Sequence, residues 1–329
     1  MAENPLEKMS RSVHTYSIHE YLRFENPDQP AAFQDLRVIT VTFLGSGSQG
    51  NAAVIGFGQR RFLLDAGLSC RRIVQGLEAL GITLDELNGL FITHDHEDHV
   101  KGLRVLLGKR GELPIFATRG TLAAIERKGL EVKHAVRLPT DREFEFAGLR
   151  VWTFPVPHDA VEPVGFRFEA GGLSLAAATD LGHLTPVAMA HLTCSDVLCL
   201  ESNYDEEMLA TCSYPDWLKR RIRGRTGHLP NAGVRGVLTR LQKPLRHLVL
   251  VHVSQEANTP RLVRENVEPL LALPMMAGAG LTIATQDAAT ETCACAAASA
   301  RRKTARSLFP ATMPSQKRFE FSDAPVHGG

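Results

Sequence analysis

The sequence predicts an α/β fold with mixed β-sheets, and the order of its elements suggests two sheets packed face to face with helices outside, an αββα sandwich. Three observations carry this. The ordered part of the chain opens with β-branched, apolar runs of strand length. Strands then alternate with stretches whose apolar residues recur at helical spacing. The same progression, strands first and alternation after, occurs a second time. Taken alone, the pattern reaches α/β with mixed sheets; the sandwich is what the repetition adds.

Residues 1–37 show no sustained period and many polar residues, and are read as an extension, partly disordered or draped on the surface. The run VITVTFL (38–44) reads as the first strand, and GSGSQGN as the loop after it. AAVIGFG (52–58) and RFLLDAG (61–67) form a hairpin around Gln59 and Arg60. Ile73, Val74, Leu77 and Leu80 share one helical face. GLFITH (89–94) is a buried strand, a helix begins between Val100 and Leu107, LPIFAT (113–118) is a strand, and TLAAIERKG is a helix stopped by its glycine. Three strands lie between Glu143 and Glu169. LSLAAATD (173–180), DVLCLES (196–202) and HLVLVHVS (247–254) complete the strands, and Val234, Val237, Leu238 and Leu241 mark a helix that Asn231 caps. The Ala-rich stretch 287–329, with the basic knot RRKTAR (301–306), reads as a disordered tail outside a folded domain spanning 38–286.

Composition narrows the function classes. With 44% hydrophobic and 22% charged residues the chain can bury an ordinary core. A formal net charge of +1 points neither toward nor away from nucleic acid, so any electrostatic recognition must be local. No run approaches the roughly 18 consecutive apolar residues of a membrane span, and the polar, acidic N-terminus has no signal-peptide core. A cytoplasmic protein with no membrane partner is expected. The six cysteines do not resemble a disulfide framework and read as reduced thiols; Cys293-x-Cys295 is short of the four ligands structural zinc takes.

The chemistry concentrates in THDHEDHV, which places three histidines and two aspartates within six positions directly after a buried strand. The ends of strands are where open α/β sheets place ligand sites. Imidazole and carboxylate suit zinc, and also manganese or iron. The pattern is His-x-His-x-Asp-His: His94, His96, Asp98 and His99.

That pattern resembles the signature of the metallo-β-lactamase superfamily, whose fold is an αββα sandwich. The other pieces of the superfamily pattern follow in order: Asp65 in LLDAG, His158 in FPVPHDA, Asp180 in AAATD and His252 in LVLVHVS. The resemblance covers roughly residues 38–260. It implies two divalent metal ions, zinc or alternatively manganese. His94, His96 and His158 would hold one, Asp98, His99 and His252 the other, with Asp180 bridging. Asp65 would orient a ligand histidine.

The fold hosts many chemistries, so the substrate must be read from other residues. In CSYPDWLKRRIRGRTGHLPNAG (212–233), five of the seven residues from Lys219 to Arg225 are basic. Trp217, Leu218 and Ile222 are read as a buried helical face, leaving Lys219, Arg220 and Arg223 outward. Alone, such a helix is as well explained by solvation; beside a metal cleft it suits phosphate. LGSGSQGN (44–51), GHLPN (227–231) and VSQEANTP (253–260) together resemble the YycJ/WalJ-type branch, with Pro230 replacing the usual serine and Ala257 an asparagine. That branch implies a metal-dependent phosphodiesterase or nuclease, 5′-to-3′ exonuclease-like, acting on DNA or RNA through a hydroxide activated by two metals. Asp98 would orient the hydroxide, and His228 would contact the scissile phosphate or protonate the leaving group. Ser46, Lys219, Arg220, Arg223, Asn231 and Asn258 are the expected substrate contacts. GSGSQGN lacks the ending of a P-loop and so predicts no nucleotide cradle, though it could offer backbone N–H groups to a phosphate. The alternative is a small-molecule hydrolase of the same fold, acting on a cyclic phosphodiester, thioester or lactone. A purely regulatory module has no need of so full a ligand set.

Overall fold

The computed structural model describes residues 14–18, 36–146 and 148–297. The remainder of the expected N-terminal extension, and the basic knot at 301–306, lie outside the described residues. Seven strands open the chain: β1 (His14–Ser17), β2 (Val38–Gly45), β3 (Ala52–Phe57), β4 (Arg60–Leu64), β5 (Gly89–Phe91), β6 (Ile115–Thr118) and β7 (His134–Leu138). Between them run α1 (Cys70–Ala79), α2 (Glu97–Val100), α3 (Leu103–Lys109) and α4 (Arg119–Arg127). The second half holds β8 (Arg142–Phe146), β9 (Leu149–Pro155), β10 (Val164–Ala170), β11 (Leu173–Ala178), β12 (Val197–Glu201), β13 (His247–Val251), β14 (Gly280–Ile283) and β15 (Cys293–Ala296). Its helices are α5 (Pro186–Leu192), α6 (Glu206–Thr211), α7 (Asp216–Arg223), α8 (Asn231–Leu238) and α9 (Pro260–Val267).

Among the described residues these strands make two mixed sheets, ordered β1-β7-β6-β5-β4-β3-β2-β15 and β14-β13-β12-β11-β10-β9-β8. The expected hairpin is β3–β4, in antiparallel register from Ala53–Leu64 to Phe57–Arg60. A phenylalanine core fills the space between the sheets. Phe91 stands at its centre, with ring centroids 5.5 Å from Phe62, 4.8 Å from Phe116 and 5.1 Å from Phe168. A second apolar layer, including Ile73, Leu77, Leu103, Leu106, Leu122 and Ile125, seats α1, α3 and α4 on the outer face of the first sheet. A third, including Ala188, Leu192, Val234, Val237, Val263 and Val267, seats α5, α8 and α9 on the second. The layering is therefore helix–sheet–sheet–helix, as the repeated pattern suggested.

Three local readings are corrected. The helix expected from Val100 is two pieces, because the Gly102 N–H leaves the helical ladder to donate to the Ala66 carbonyl and the Asp98 carbonyl accepts from Asn51, both at 2.7 Å. A strand exists within the expected extension: β1 pairs in parallel with β7. The compact unit also runs past the expected boundary at 286. β15 pairs antiparallel with β2, and Cys293 and Cys295 point into the inter-sheet core. CACA holds no β-branched residue, so the sequence hid it. Cysteine there acts as a small apolar side chain, and the two thiols face core rather than a metal.

Candidate metal centre

Asp65 follows β4, His94 follows β5, Asp180 follows β11, Glu201 ends β12 and His252 follows β13. These strands run parallel within each sheet, β4 with β5 and β11 with β12 and β13, so their C-terminal ends deliver the side chains to one edge of the sandwich. His158 arrives from the loop between β9 and β10. Asp65, Asp180 and His252 have φ of 60°, 54° and 54°. A non-glycine residue in this left-handed region is strained, and the strain turns each side chain sharply out of its strand.

Three overlapping donor groups result, one of them Asp180, Glu201, His228 and His252. His94, His96 and His158 offer ring nitrogens within 4.8 Å of one another, and so do the ligand atoms of Asp98, His99, Asp180 and His252. Asp180 stands between them: Oδ1 is 3.7 Å from His158 Nε2 and 3.6 Å from His252 Nε2, and Oδ2 is 3.1 Å from His99 Nε2. Asp180 is thus in reach of histidines from both of these groups.

The outer nitrogens are tied down. His99 Nδ1 is 2.8 Å from Asp65 Oδ2, His158 Nδ1 is 3.0 Å from the Gly227 carbonyl oxygen, and His252 Nδ1 is 3.1 Å from Glu201 Oε1. His94 Nδ1 lies 3.0 Å from the Thr93 hydroxyl. Each such bond selects the tautomer whose Nε2 lone pair is left for a ligand. His96 is reversed: its Nε2 lies 3.3 Å from the Asp159 carbonyl and its Nδ1 3.1 Å from His158 Nε2. Asp65 thus contacts His99, and it also accepts from the Thr93 N–H at 2.8 Å.

The backbone around Asp98 and His99 is clamped as well. The Asn51 N–H donates to the Asp98 carbonyl at 2.7 Å and the Ala66 N–H to the His99 carbonyl at 2.8 Å. Gly67 passes so near that a Cβ there would sit 1.6 Å from the Asp98 carbonyl oxygen.

Electrostatically the site is a dense lattice of opposite charges. Burial alone would push the Asp98 and Asp180 carboxyls up, but His99 and His252 outweigh it and hold both well below the usual range. Burial likewise would lower His99 and His252; the carboxylates around them, Asp180 facing both, raise them well above an ordinary imidazole. Burial, reinforced by His99, keeps His94 low. His94 Nε2 is buried with no hydrogen-bond partner, and so is Asp180 Oδ2, whose approach to His99 is not aligned as a bond. Orphaned buried acceptors of this kind are rare in folded proteins. A cation would satisfy both, and the imidazole and carboxylate donors fit a divalent metal.

The expected substrate contacts fare differently. Ser46, Asn231 and Asn258 are buried, and their side chains are occupied. The Ser46 hydroxyl donates to Asn51 Oδ1 and accepts the His252 N–H, both at 2.8 Å. Asn231 and Asn258 bond each other, at 2.8 and 3.1 Å, and Asn231 Oδ1 also accepts from Ser202. Ser46 thus braces the backbone at His252, Asn231 and Asn258 tie the segment after β12 to α8, and Asn231 is the first residue of α8 rather than its cap. The glycine-rich loop is similarly spent: the N–H groups of Ser46, Gly47, Gln49, Gly50 and Asn51 all have acceptors within the protein. On α7, Lys219 donates to the Ala210 carbonyl and Arg223 pairs with Glu206, so both serve α6, while Arg220 is exposed. The basic residue brought to the site is Arg221, which sequence reasoning left out. Its Nε and Nη2 donate to Asp159 Oδ2 and Oδ1 at 2.6 and 3.0 Å. Asp159 Oδ1 in turn is 3.5 Å from His158 Nε2. Trp217, expected in the buried face of α7, is 61% exposed.

His228 lies beside the donor groups, its ring centroid 5.3 Å from that of His158 and 5.2 Å from that of His252. Its Nδ1 is 2.8 Å from Oε1 of Glu201. Glu201 is fully buried and also accepts from the Leu181 and Leu229 N–H groups through Oε2. Glu201 was not among the residues expected from the sequence; the signal available was a carboxylate closing the apolar run VLCLE.

An αββα sandwich with a histidine–aspartate cluster at its edge defines the class, and the comparisons agree. The chain belongs to the β-lactamase superfamily: residues 60–253 match the family described as "Beta-lactamase superfamily domain". Its branch is that of YycJ and WalJ. It is 32% identical over 238 residues to exodeoxyribonuclease YycJ of Bacillus anthracis, covering 69% of this chain and 87% of the relative. It is 30% identical to exodeoxyribonuclease WalJ of Streptococcus pneumoniae, with 70% and 87% covered. The metallo-β-lactamase fold protein YhfI of Bacillus subtilis superposes with a TM-score of 0.61 at 13% identity, over 78% of this chain and 99% of that one, a likeness of fold. Among the described residues no helix is long and apolar enough to cross a membrane.

Proposed function

We propose that this protein is a metal-dependent phosphodiesterase that removes nucleotides from an end of a DNA strand. The observation that carries the reading is the meeting of two donor groups around Asp180. His94, His96 and His158 would hold one divalent cation and Asp98, His99 and His252 a second, with Asp180 shared; zinc suits the donors, and manganese is the alternative. Bound there, such cations supply charge to neutralise phosphoryl oxygens and lower the pKa of an attacking water. The names of the YycJ and WalJ relatives support DNA as the polymer.

The chain's own residues supply the rest. We read Asp98, whose Oδ2 lies 3.1 Å from His252 Nε2, as the residue that would orient the attacking water. His228, its Nδ1 proton committed to Glu201, would carry a second proton on Nε2 as imidazolium and pass it to the leaving oxygen. Arg221 carries positive charge to the cleft mouth.

The test is cleavage of end-labelled DNA and RNA, single- and double-stranded, alongside bis(p-nitrophenyl) phosphate and a thioester panel. Stepwise shortening of DNA from one labelled end supports the proposal. Thioester or cyclic phosphodiester hydrolysis without polymer cleavage would replace it with the small-molecule reading.

A further inference from the structure

The three histidines of the first donor group come from two loops. His94 and His96 follow β5, and His158 lies between β9 and β10. The loops are stitched to each other along their length. The Val164 N–H donates to the Thr93 carbonyl at 3.0 Å, and His96 Nε2 lies 3.3 Å from the Asp159 carbonyl. Between these two stitches a side chain makes another. Asp95, which separates His94 from His96, is buried, and its Oδ1 accepts the Val161 N–H at 3.0 Å.

A carboxylate taken out of water is costly unless charge and hydrogen bonds compensate it. Lys128 faces Asp95: its Nζ is 3.6 Å from Oδ2 and donates to the Asp95 backbone carbonyl. Lys128 is the C-terminal cap residue of α4. The opposite end of α4 holds the other loop. The Thr118 hydroxyl donates to the Glu162 carbonyl at 2.9 Å, the Thr121 hydroxyl to the Val161 carbonyl at 3.2 Å, and the Gly120 N–H to Glu162 Oε2 at 2.6 Å. Glu162 has a φ of 52°, a conformation that a non-glycine residue keeps only where its surroundings enforce it. Helix α4 therefore grips the His94–His96 loop from one end and the His158 loop from the other. The second donor group is braced by different residues, Asn51, Asp65 and Ala66. Lys128 approaches that side only through Glu97, 3.6 Å away and exposed, a contact of little energetic weight.

We infer that Asp95 and Lys128 are positioning residues for the first cation. Lys128 fixes Asp95, and Asp95 holds the two loops at the separation that brings the ring nitrogens of His94, His96 and His158 together. This rests on the metal assignment proposed above and adds to it a strut that serves one cation and spares the other.

The experiment equilibrates the metal-loaded full-length protein against zinc buffered at graded free concentrations and measures the zinc retained per chain. His158→Ala and His252→Ala identify which step of zinc loss belongs to which donor group. Asp95→Ala should move the first group's step to free zinc about 10–100-fold higher, the usual worth of a residue that supports a metal ligand. Lys128→Met should move the same step about tenfold, at the low end of that range. Asp95→Asn keeps an acceptor for the Val161 N–H and should recover most of the loss. Glu97→Gln should leave both steps in place. Lys128 is partly exposed, so its replacement decides the matter even if Asp95→Ala does not fold. The inference is overturned if Lys128→Met retains both cations as the parent does, if both steps move together, or if Asp95→Asn falls as far as Asp95→Ala. Selective loss of the first cation in a protein that cleaves no phosphodiester would keep the strut and sink the enzymatic reading. DNA cleavage by a parent whose two steps are indifferent to Lys128→Met would do the reverse.

Discussion

Glu201 holds His228 through a 2.8 Å contact between Oε1 and Nδ1, inside a pocket from which water is excluded on the carboxylate side. The pair gives a proton donor a fixed orientation. Replacing His228 with Ala should leave metal bound and lower turnover on DNA by about 10²–10³-fold, the usual worth of a positioned acid. The loss on bis(p-nitrophenyl) phosphate should be much smaller, because nitrophenolate leaves without a proton. Equal losses on both substrates would remove the donor role. Glu201→Gln should show the same substrate dependence in weaker form, with some loss of metal because His252 also leans on Glu201.

His94→Ala and Asp98→Ala each remove one donor from a different group. Both should abolish phosphodiester cleavage and lower the metal recovered per chain after native purification. A fully active Asp98→Ala protein would contradict the assignment.

Metal uptake should depend on pH in a set direction. Without a cation, His99 and His252 are held protonated well above the ordinary imidazole range by the carboxylates that outweigh their burial. A metal must displace those protons, so apparent affinity should rise with pH, by about tenfold per unit for each proton released. Titration calorimetry in buffers of different ionisation enthalpy counts the protons; zero release would refute the linkage.

Gly67→Ala should act on the same site from behind. Its added carbon would fall 1.6 Å from the Asp98 carbonyl oxygen, so the Asp98–His99 turn must move. Overpacking of this kind costs about 1–3 kcal/mol. The urea midpoint should fall and metal content with it, whereas Gly81→Ala, with open space around it, should cost only the strain of its φ of 69°.

Acid should destabilise the fold through His191, on the buried face of α5 and stacked on Phe154 at 4.8 Å. Burial, with the Arg167 charge added, pushes it down to about 4 from 6.5. The unfolded chain therefore binds the extra proton first. Stability is fully present above pH 6.5 and declines as pH falls toward 4, by about 3 kcal/mol from this residue. His191→Phe keeps the stack and should flatten the decline in metal-free protein; an unchanged pH dependence of the urea midpoint would refute it.

Much of the candidate metal centre was legible in the chain because clustered histidines and aspartates are chemically conspicuous. Three histidines in six positions behind a buried strand are hard to place anywhere but on a cation, and Asp65, His158, Asp180 and His252 each close an apolar run. The layers were legible too, since strands and amphipathic helices differ in period. What escaped was set by three-dimensional neighbours. Asn231 and Asn258 look like surface amides until each is seen to satisfy the other. Arg220 and Arg221 are adjacent in a basic run, and only the position of Asp159 singles one out. Trp217 was assigned to the buried face by hydrophobicity, but the helix turns its neighbours Leu218 and Ile222 inward instead.

The pairing of β15 with β2 has a practical side. A chain cut back to Gln286, where the composition changes, would lose the outermost strand and leave the hydrogen-bonding edge of β2 bare beside the phenylalanine core. Bare edges recruit other chains. Such a shortened protein would be expected to precipitate during expression, while one ending after Ala297 keeps β2 paired and the core beside it covered.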